Sequence, residues 1–559
     1  HALLHLRHPP VDAGLDQGRT GADDPLALTD SRSSSPPRLG RRAFLGALGG
    51  GALSLLAPLR GGGGLSLGPA PEEALAAVPF RARLPLPPVL TGDHIRIPIE
   101  EAEQRILPGR PTRLWTFGGS FPGPTVRRPA GHRTRVTFEH RLPAAAGELS
   151  IHLHGAHSRH QFDGYPGGLT QSQPRSLFCD ISPRLSPAES GNDLLLAPGG
   201  RKTYVYDLTE GGRPERAAFQ WYHDHRLDRT APHAWRGLAG MWIVDDAFEQ
   251  DLPLPRGERD LPLMISDRSF DHHNQLTDPF AEQLRPPADG IRGATILVNG
   301  AFMPHHPVSP RRYRLRILNV SSFRSYNFRL SHGLPMVQIA TESGLMPRPV
   351  RRDSILLGPA ERAEVLVDFS AAAGESVELR SSHRHAGRNA DGARTYEGEL
   401  MQFRVGSERL PDRTRVPRRL RPLPEWAQKA KVRRPDQRWE ITIGGGFKTK
   451  WLLNGRTFDP AHVEAFPQLG TTEVWEIVNR TSVAHVMHIH HTDWYLLQRD
   501  GKPPPPWEDC LKETFFVFPN EKILIAGHFA DYTGKFIIHC HMFDHEDHGL
   551  MGQFQVVRG

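Results

Sequence analysis

Hydrophobic and polar positions alternate in short runs along most of this chain. Polar neighbours flank Val136 and Phe138, Tyr204-Val205-Tyr206 lies in a second such run, and Glu364-Val365-Leu366-Val367 and Val474-Trp475-Glu476-Ile477-Val478 look alike. A period of two puts every other side chain on one face of a strand. Gly/Pro turns separate the runs, so the pattern predicts strands from about residue 80 onward. Helices should be short and confined to loops, as at Ala371 to Ala373. A β-sandwich takes about 100 residues or somewhat more, so this stretch accommodates three, and the expected fold is all-β. The expected divisions are 77–250, 251–405 and 439–559. Asp246 to Asp260 reads as the first linker and the Arg/Pro-rich stretch 406–438 as the second.

Composition narrows the function. With 559 residues, 38% hydrophobic, 54 Gly and 51 Pro, the chain can build several cores rich in turns. No uninterrupted apolar stretch is long enough for a membrane span. Three cysteines exclude a disulfide scaffold. The net charge of +7 is a weaker lead. Arg312, Arg314 and Arg316 alternate with Tyr313, Leu315 and Ile317, which reads as basic side chains on the solvent face of a half-buried strand. That argues against a nucleic-acid surface, where basic residues gather beside stacking aromatics.

Residues 1–76 form a separate region. The first forty are rich in Pro, Ser, Arg and Gly and read as disordered. Gly40-Arg41-Arg42-Ala43-Phe44-Leu45 then precedes a Gly/Ala/Leu run to about Leu59, with a small-x-small site at Ala74-Leu75-Ala76. Paired arginines before a weakly apolar run resemble a twin-arginine export signal. The expected location is periplasmic, cell-surface or extracellular.

The chemistry lies in the 30 histidines. Four clusters stand out: His152-Leu153-His154, His223-Asp224-His225, His485-Val486-Met487-His488-Ile489-His490, and His539-Cys540-His541 with His545. On a strand, His-x-His aims both imidazoles to one face. Cys540, between two histidines, aims its sulfur to the other. One segment therefore serves two sites on opposite faces. A loop can bring His545 back beside Cys540, and His485 is the natural second imidazole. Cys with two His is the blue-copper pattern.

In all four motifs and their order, residues 80–559 resemble the multicopper oxidase family. The likeness is greatest to the bacterial three-domain branch of spore-coat laccases, bilirubin oxidases and phenoxazinone synthases. Its local signatures here include Asp163-Gly164-Tyr165-Pro166, Arg236-Gly237-Leu238-Ala239-Gly240, Val298-Asn299-Gly300 and His545-Glu546-Asp547. The resemblance implies three cupredoxin-like Greek-key domains and four copper ions. Type 1 copper would take His485, Cys540 and His545, and type 2 copper His152 and His488. The type 3 pair would take His154, His223, His225, His490, His539 and His541. The axial type 1 position falls on Leu550, a non-ligand, unless a slip in the Gly549 turn brings in Met551. Asp163 and Glu546 match the acidic residues that deliver protons in this branch, with orientation of a ligand as the alternative role.

The expected activity is laccase-like, with O2 as acceptor, a small organic reductant and a monomer sufficient. Two other readings compete. A cuprous oxidase for copper tolerance usually carries a Met-rich segment, whereas this chain has 9 Met and no Met-rich run. A copper-free cupredoxin scaffold of the cell envelope would have lost ligands, and here the set is complete. Cys179 and Cys510 are either bonded or two buried thiols. His157, His160, His305, His306, His383, His385, His491 and His548 lack metal-ligand spacing and read as background.

Overall fold

A strict alternation of buried and half-buried positions runs through the strand Thr134–His140, where Thr134, Val136, Phe138 and His140 face inward. The same alternation recurs in His94–Gln104 and Ser376–Ser381, whereas strands such as Ala218–Asp224 are buried on both faces. The computed structural model describes residues 78–168, 185–280, 290–382, 395–444 and 450–559. The expected export signal and Cys179 lie outside these residues.

Apart from a small two-stranded ribbon, Thr209–Glu210 with Arg213–Pro214, the described strands form three pairs of sheets in chain order. Strands between Val89 and Asp245 make a five-stranded and a four-stranded sheet. Those from Asp260 to Val405 make a seven-stranded and a five-stranded sheet, and those from Gln437 to Val556 a six-stranded and a four-stranded sheet. Each pair closes over its own core. In the last, Trp439, Trp475 and Ile525 of one sheet pack on Val486, Ile538 and Phe554 of the other. The fold is all-β and cupredoxin-like, with short helices in the connections, such as Ala247–Gln250 and Glu425–Lys429. Among the described residues no helix is long and apolar enough to cross a membrane.

One expectation is overturned. Arg314 and Arg316 do not face solvent; both are fully buried. Their strand, Arg312–Asn319, lies inside the seven-stranded sheet between Asp260–Arg268 and Arg362–Asp368. The helix Ala247–Gln250 brings Glu249 over its outer face. Arg316 pairs with Asp260 at 2.7 Å and Glu364 at 2.7 Å, and Arg314 pairs with Glu249 at 2.6 Å. Arg127, from the first sheet pair, reaches Asp260 at 3.3 Å. The alternating pattern located two faces correctly, but the second is covered by protein.

Candidate metal centre

Strand pairing gathers the histidines. His152 lies opposite His223, and His154 opposite Trp221, in the first sheet pair. In the last, Met487 lies opposite Cys540 and His488 opposite His539. Residues facing each other across an antiparallel ladder share a face. His485 and Met487 therefore join Cys540 on one side, and His488 joins His539 on the other. Alternation along a single strand thus separates two sites.

On the first side, Cys540 Sγ lies 3.6 Å from both His485 Nδ1 and His545 Nδ1, which are 3.1 Å apart. Thr481 Oγ1, whose own proton points to Asn479 or Val483, accepts a hydrogen bond from His485 Nε2–H at 3.0 Å. The imidazole thus turns its Nδ1 lone pair toward the sulfur. Trp451 covers both rings, at centroid distances of 4.9 and 4.3 Å. Burial pushes the Cys540 thiol up to about 12, so metal uptake must displace a proton.

On the second side, eight buried imidazoles converge from the first and last sheet pairs. Three groups place their donor atoms within 4.8 Å of one another: His152 with His154 and His488; His154 with His223 and His541; and His225 with His490 and His539. His152 Nδ1 donates to the Asp163 carbonyl and His488 Nδ1 to the Glu513 carbonyl at 3.0 Å. Their Nε2 atoms, left without protons, face each other at 3.3 Å. His490 Nδ1 donates to Asp163 Oδ2 at 2.7 Å, and His539 Nδ1 to the Cys540 carbonyl at 3.2 Å. His539 Nε2 then meets the Nε2 atoms of His225 and His490 at 3.2 and 3.3 Å. His223 Nδ1 donates to the Asp224 carbonyl at 2.8 Å, and its buried Nε2 has no hydrogen-bond partner among the described residues. Lone pairs aimed at one another in a buried site repel unless a cation lies between them. Burial and neighbouring imidazoles hold His152, His154, His223, His490, His539 and His541 well below the usual histidine range. Neutral imidazole is the form that binds metal. This donor set fits copper.

Each expected ligand therefore lies in one of these groups. Asp163 and Glu546 are both buried beside them. Gly164, at φ +80°, lies so close to His152 that a Cβ there would sit 2.6 Å from the His152 Cα. Only glycine allows the turn that seats Asp163. Glu546 approaches His539 Nδ1 at 3.2 Å and His225 Nδ1 at 3.6 Å. Burial pushes both carboxyls up.

The structure adds residues that the motifs do not reveal. Glu513 touches His154 at 3.2 Å and His488 at 3.1 Å, and pairs with buried Arg362. Burial works against its charge, but Arg362 and His488 pull its carboxyl down to about 2. Thr481 and Trp451 shape the sulfur side. All three lie outside the His-x-His segments: the pairing of Thr514 with His488 brings in Glu513, Trp451 comes from the facing sheet, and Thr481 sits in the turn four residues before His485.

Three segments, 99–176, 262–389 and 427–559, match the description "Multicopper oxidase". A laccase of Bacillus subtilis is 31% identical over 491 residues, covering 79% of this chain and 90% of that one. The chain belongs to the multicopper oxidase family. A bilirubin oxidase of Albifimbria verrucaria is 29% identical over 508 residues, 85% of this chain and 81% of its own. The solved laccase of Pediococcus acidilactici superposes with a TM-score of 0.71 at 28% identity, covering 86% of this chain and 95% of that one. This multicopper oxidase is a laccase-like member of the bacterial branch, a copper-dependent oxidoreductase that uses O2.

In this oxidase Leu550 and Met551 part company. Met551 lies opposite His539 in the ladder, hence on the histidine side, and packs with Tyr165, Leu227 and Phe458. Leu550 packs in the core that holds Cys540 and Met542. A leucine there offers no thioether to a metal, which favours Cu(I) over Cu(II). Leu550→Met is expected to lower the reduction potential of the Cys540 site in a redox titration of its blue band. An unchanged potential would show that position 550 does not face the metal.

Proposed function

We propose that this oxidase takes single electrons from phenolic, aminophenolic or tetrapyrrole donors and passes four of them to O2, giving two waters. His485, Cys540 and His545 would hold one type 1 copper, and His152 and His488 one type 2 copper. His154, His223 and His541 would hold one ion of the type 3 pair, and His225, His490 and His539 the other. Bound there, copper supplies one-electron redox chemistry at the sulfur site and O2 reduction at the cluster.

The observation that carries this reading is the position of Cys540. Its sulfur belongs to one donor group, while its backbone neighbours His539 and His541 belong to two others. An electron arriving at the sulfur has a through-bond route to both. O2 reduction also consumes protons, which metal-bound imidazoles cannot supply. Asp163 and Glu546, whose carboxyls burial disposes to hold a proton, would deliver them. Glu546→Gln is expected to slow O2 turnover by about 10²- to 10⁴-fold while the blue absorption persists. Loss of copper in that variant would instead assign Glu546 to holding His225 and His539 in place.

All nine methionines fall among the described residues; eight are buried and Met303 is half-buried. With no exposed thioether cluster to capture Cu(I), the organic donor is favoured over the cuprous oxidase. A complete donor set disfavours the copper-free scaffold. Export of the folded protein by the twin-arginine route would suit a chain that acquires its metal before crossing a membrane. A substrate panel on copper-loaded protein, with copper per chain measured in the same sample, tests the proposal. Preference for Cu(I) over phenols would overturn the donor class, and absence of a blue band after loading would remove the oxidase reading.

A further inference from the structure

His157, which lacks the spacing of a metal ligand, occupies a place of its own. A narrow cavity of about 10 Å³ is lined at once by His152 and His488 of the cluster and by His157, Asp493 and Glu513. That volume holds roughly one water. A separate, open surface groove of about 460 Å³ is lined by Asp531 with Arg133, Arg159, Asp207 and Tyr532. His157 bridges the two. Its Nδ1 lies 2.9 Å from Asp531 Oδ2, and its Nε2 lies 3.7 Å from Asp493 Oδ2, a gap that a water or a small ring movement closes. Gly211 N fixes the other oxygen of Asp531 at 2.7 Å.

We propose that His157 is a positioning relay that passes protons from the surface groove, through Asp531 on one ring nitrogen and Asp493 on the other, to the type 2 side of the cluster. The inference rests on the proposed reduction of O2. Each transfer is balanced: the imidazolium gives its Nε2 proton toward Asp493 and keeps Nδ1–H, and rotation of the ring then turns the bare nitrogen toward the Asp531 side, where a proton from the groove restores the imidazolium. The surroundings suit this. Burial pulls the imidazolium down, but Asp493 and Asp531 outweigh it and hold His157 well above the usual histidine range. The other titratable neighbours are Glu210, Glu215, His491 and Arg216. Burial pushes Glu215 up to about 8, so it is largely protonated near pH 7. Gln220 touches Glu215 at 3.4 Å and donates to the carbonyl of Gly155, a cavity residue, at 2.9 Å. A neutral acid thus lies near the cavity wall.

The test compares His157→Gln and Asp493→Asn with the wild type at full copper occupancy. Asp493→Asn keeps the His157–Asp531 pair, so it decides alone if the histidine variant fails to fold. O2 consumption at saturating donor is expected to fall about tenfold or more near pH 8 and to converge on the wild type near pH 5, where bulk protons are abundant. Blue absorption and copper content should not change. In copper-free protein carrying ¹³C-labelled histidine, an infrared imidazolium signal should persist near pH 8 and vanish in His157→Gln. Wild-type pH profiles in both variants, copper loss in Asp493→Asn, or a neutral His157 near pH 7 would each overturn the relay. A wild type that consumes no O2 would instead remove the oxidase reading beneath it.

Discussion

Cys540→Ser is expected to abolish the blue absorption and reduce oxidase activity to background, with a fold close to that of the parent. The sulfur is the softest donor among the candidate ligands, and a serine hydroxyl does not replace a thiolate as a copper ligand. His539 and His541 keep their places because their strand is held by ladders on both sides and their imidazoles by the cluster. Copper per chain should therefore drop by one ion rather than collapse. The loss of activity should be complete, since the electron route from donor to cluster begins at this sulfur. The decisive measurement is copper content with absorbance and O2 uptake on one sample. Retained activity with three ions would mean that electrons reach the cluster without Cys540.

The largest expected effect on stability lies far from the metal. Arg316→Met should destabilise the protein by about 3–5 kcal/mol. Removing this guanidinium leaves Asp260 buried, with only Arg127 and Arg314 nearby. A large protein with several sheet pairs need not unfold in one step, so the scanning calorimetry transition that includes Asp260–Asp368 is the quantity to follow. Its pH dependence gives a second check. Burial opposes the charge of Asp260, but Arg316 and Arg314 hold its carboxyl below the ordinary range. That contribution is present above about pH 4 and is lost as pH falls through the depressed value. In the variant the deficit should shrink in acid, because protonation relieves the unpaired carboxylate. Adding Asp260→Leu should recover much of the loss, since replacing a whole buried pair with apolar groups is often neutral. No recovery would indicate that packing of the Arg316 stem, rather than charge, sets the effect.

The outcome for Arg314 and Arg316 shows what a one-dimensional pattern can carry. Alternation reports which positions share a face, and it found the strands around Val136, Tyr204, Val365 and Trp475. It cannot report what covers the second face, because that depends on Glu249 and on Arg127, almost 190 residues before Arg314. The candidate ligands were legible for the opposite reason. His-x-His and His-Cys-His place their donors within one short strand, so local spacing already encodes the geometry. Glu513 was not legible: it reaches His488 because the adjacent Thr514 pairs with that residue across the sheet, and no local motif marks it. His157 fell between these cases. Its two aspartates come from loops more than 330 residues away, so it read as background.

The division of the cluster between the first and last sheet pairs also has a consequence during biosynthesis. His225 and His485 are separated by some 260 residues, roughly 13–50 s of translation at 5–20 residues per second. For that interval the nascent chain displays four of the eight cluster imidazoles, a weak and incomplete chelator. The cage cannot close until residue 541 has been made. Premature capture of a stray ion is therefore disfavoured by timing, and the order of the motifs along the gene acts as a clock for metallation.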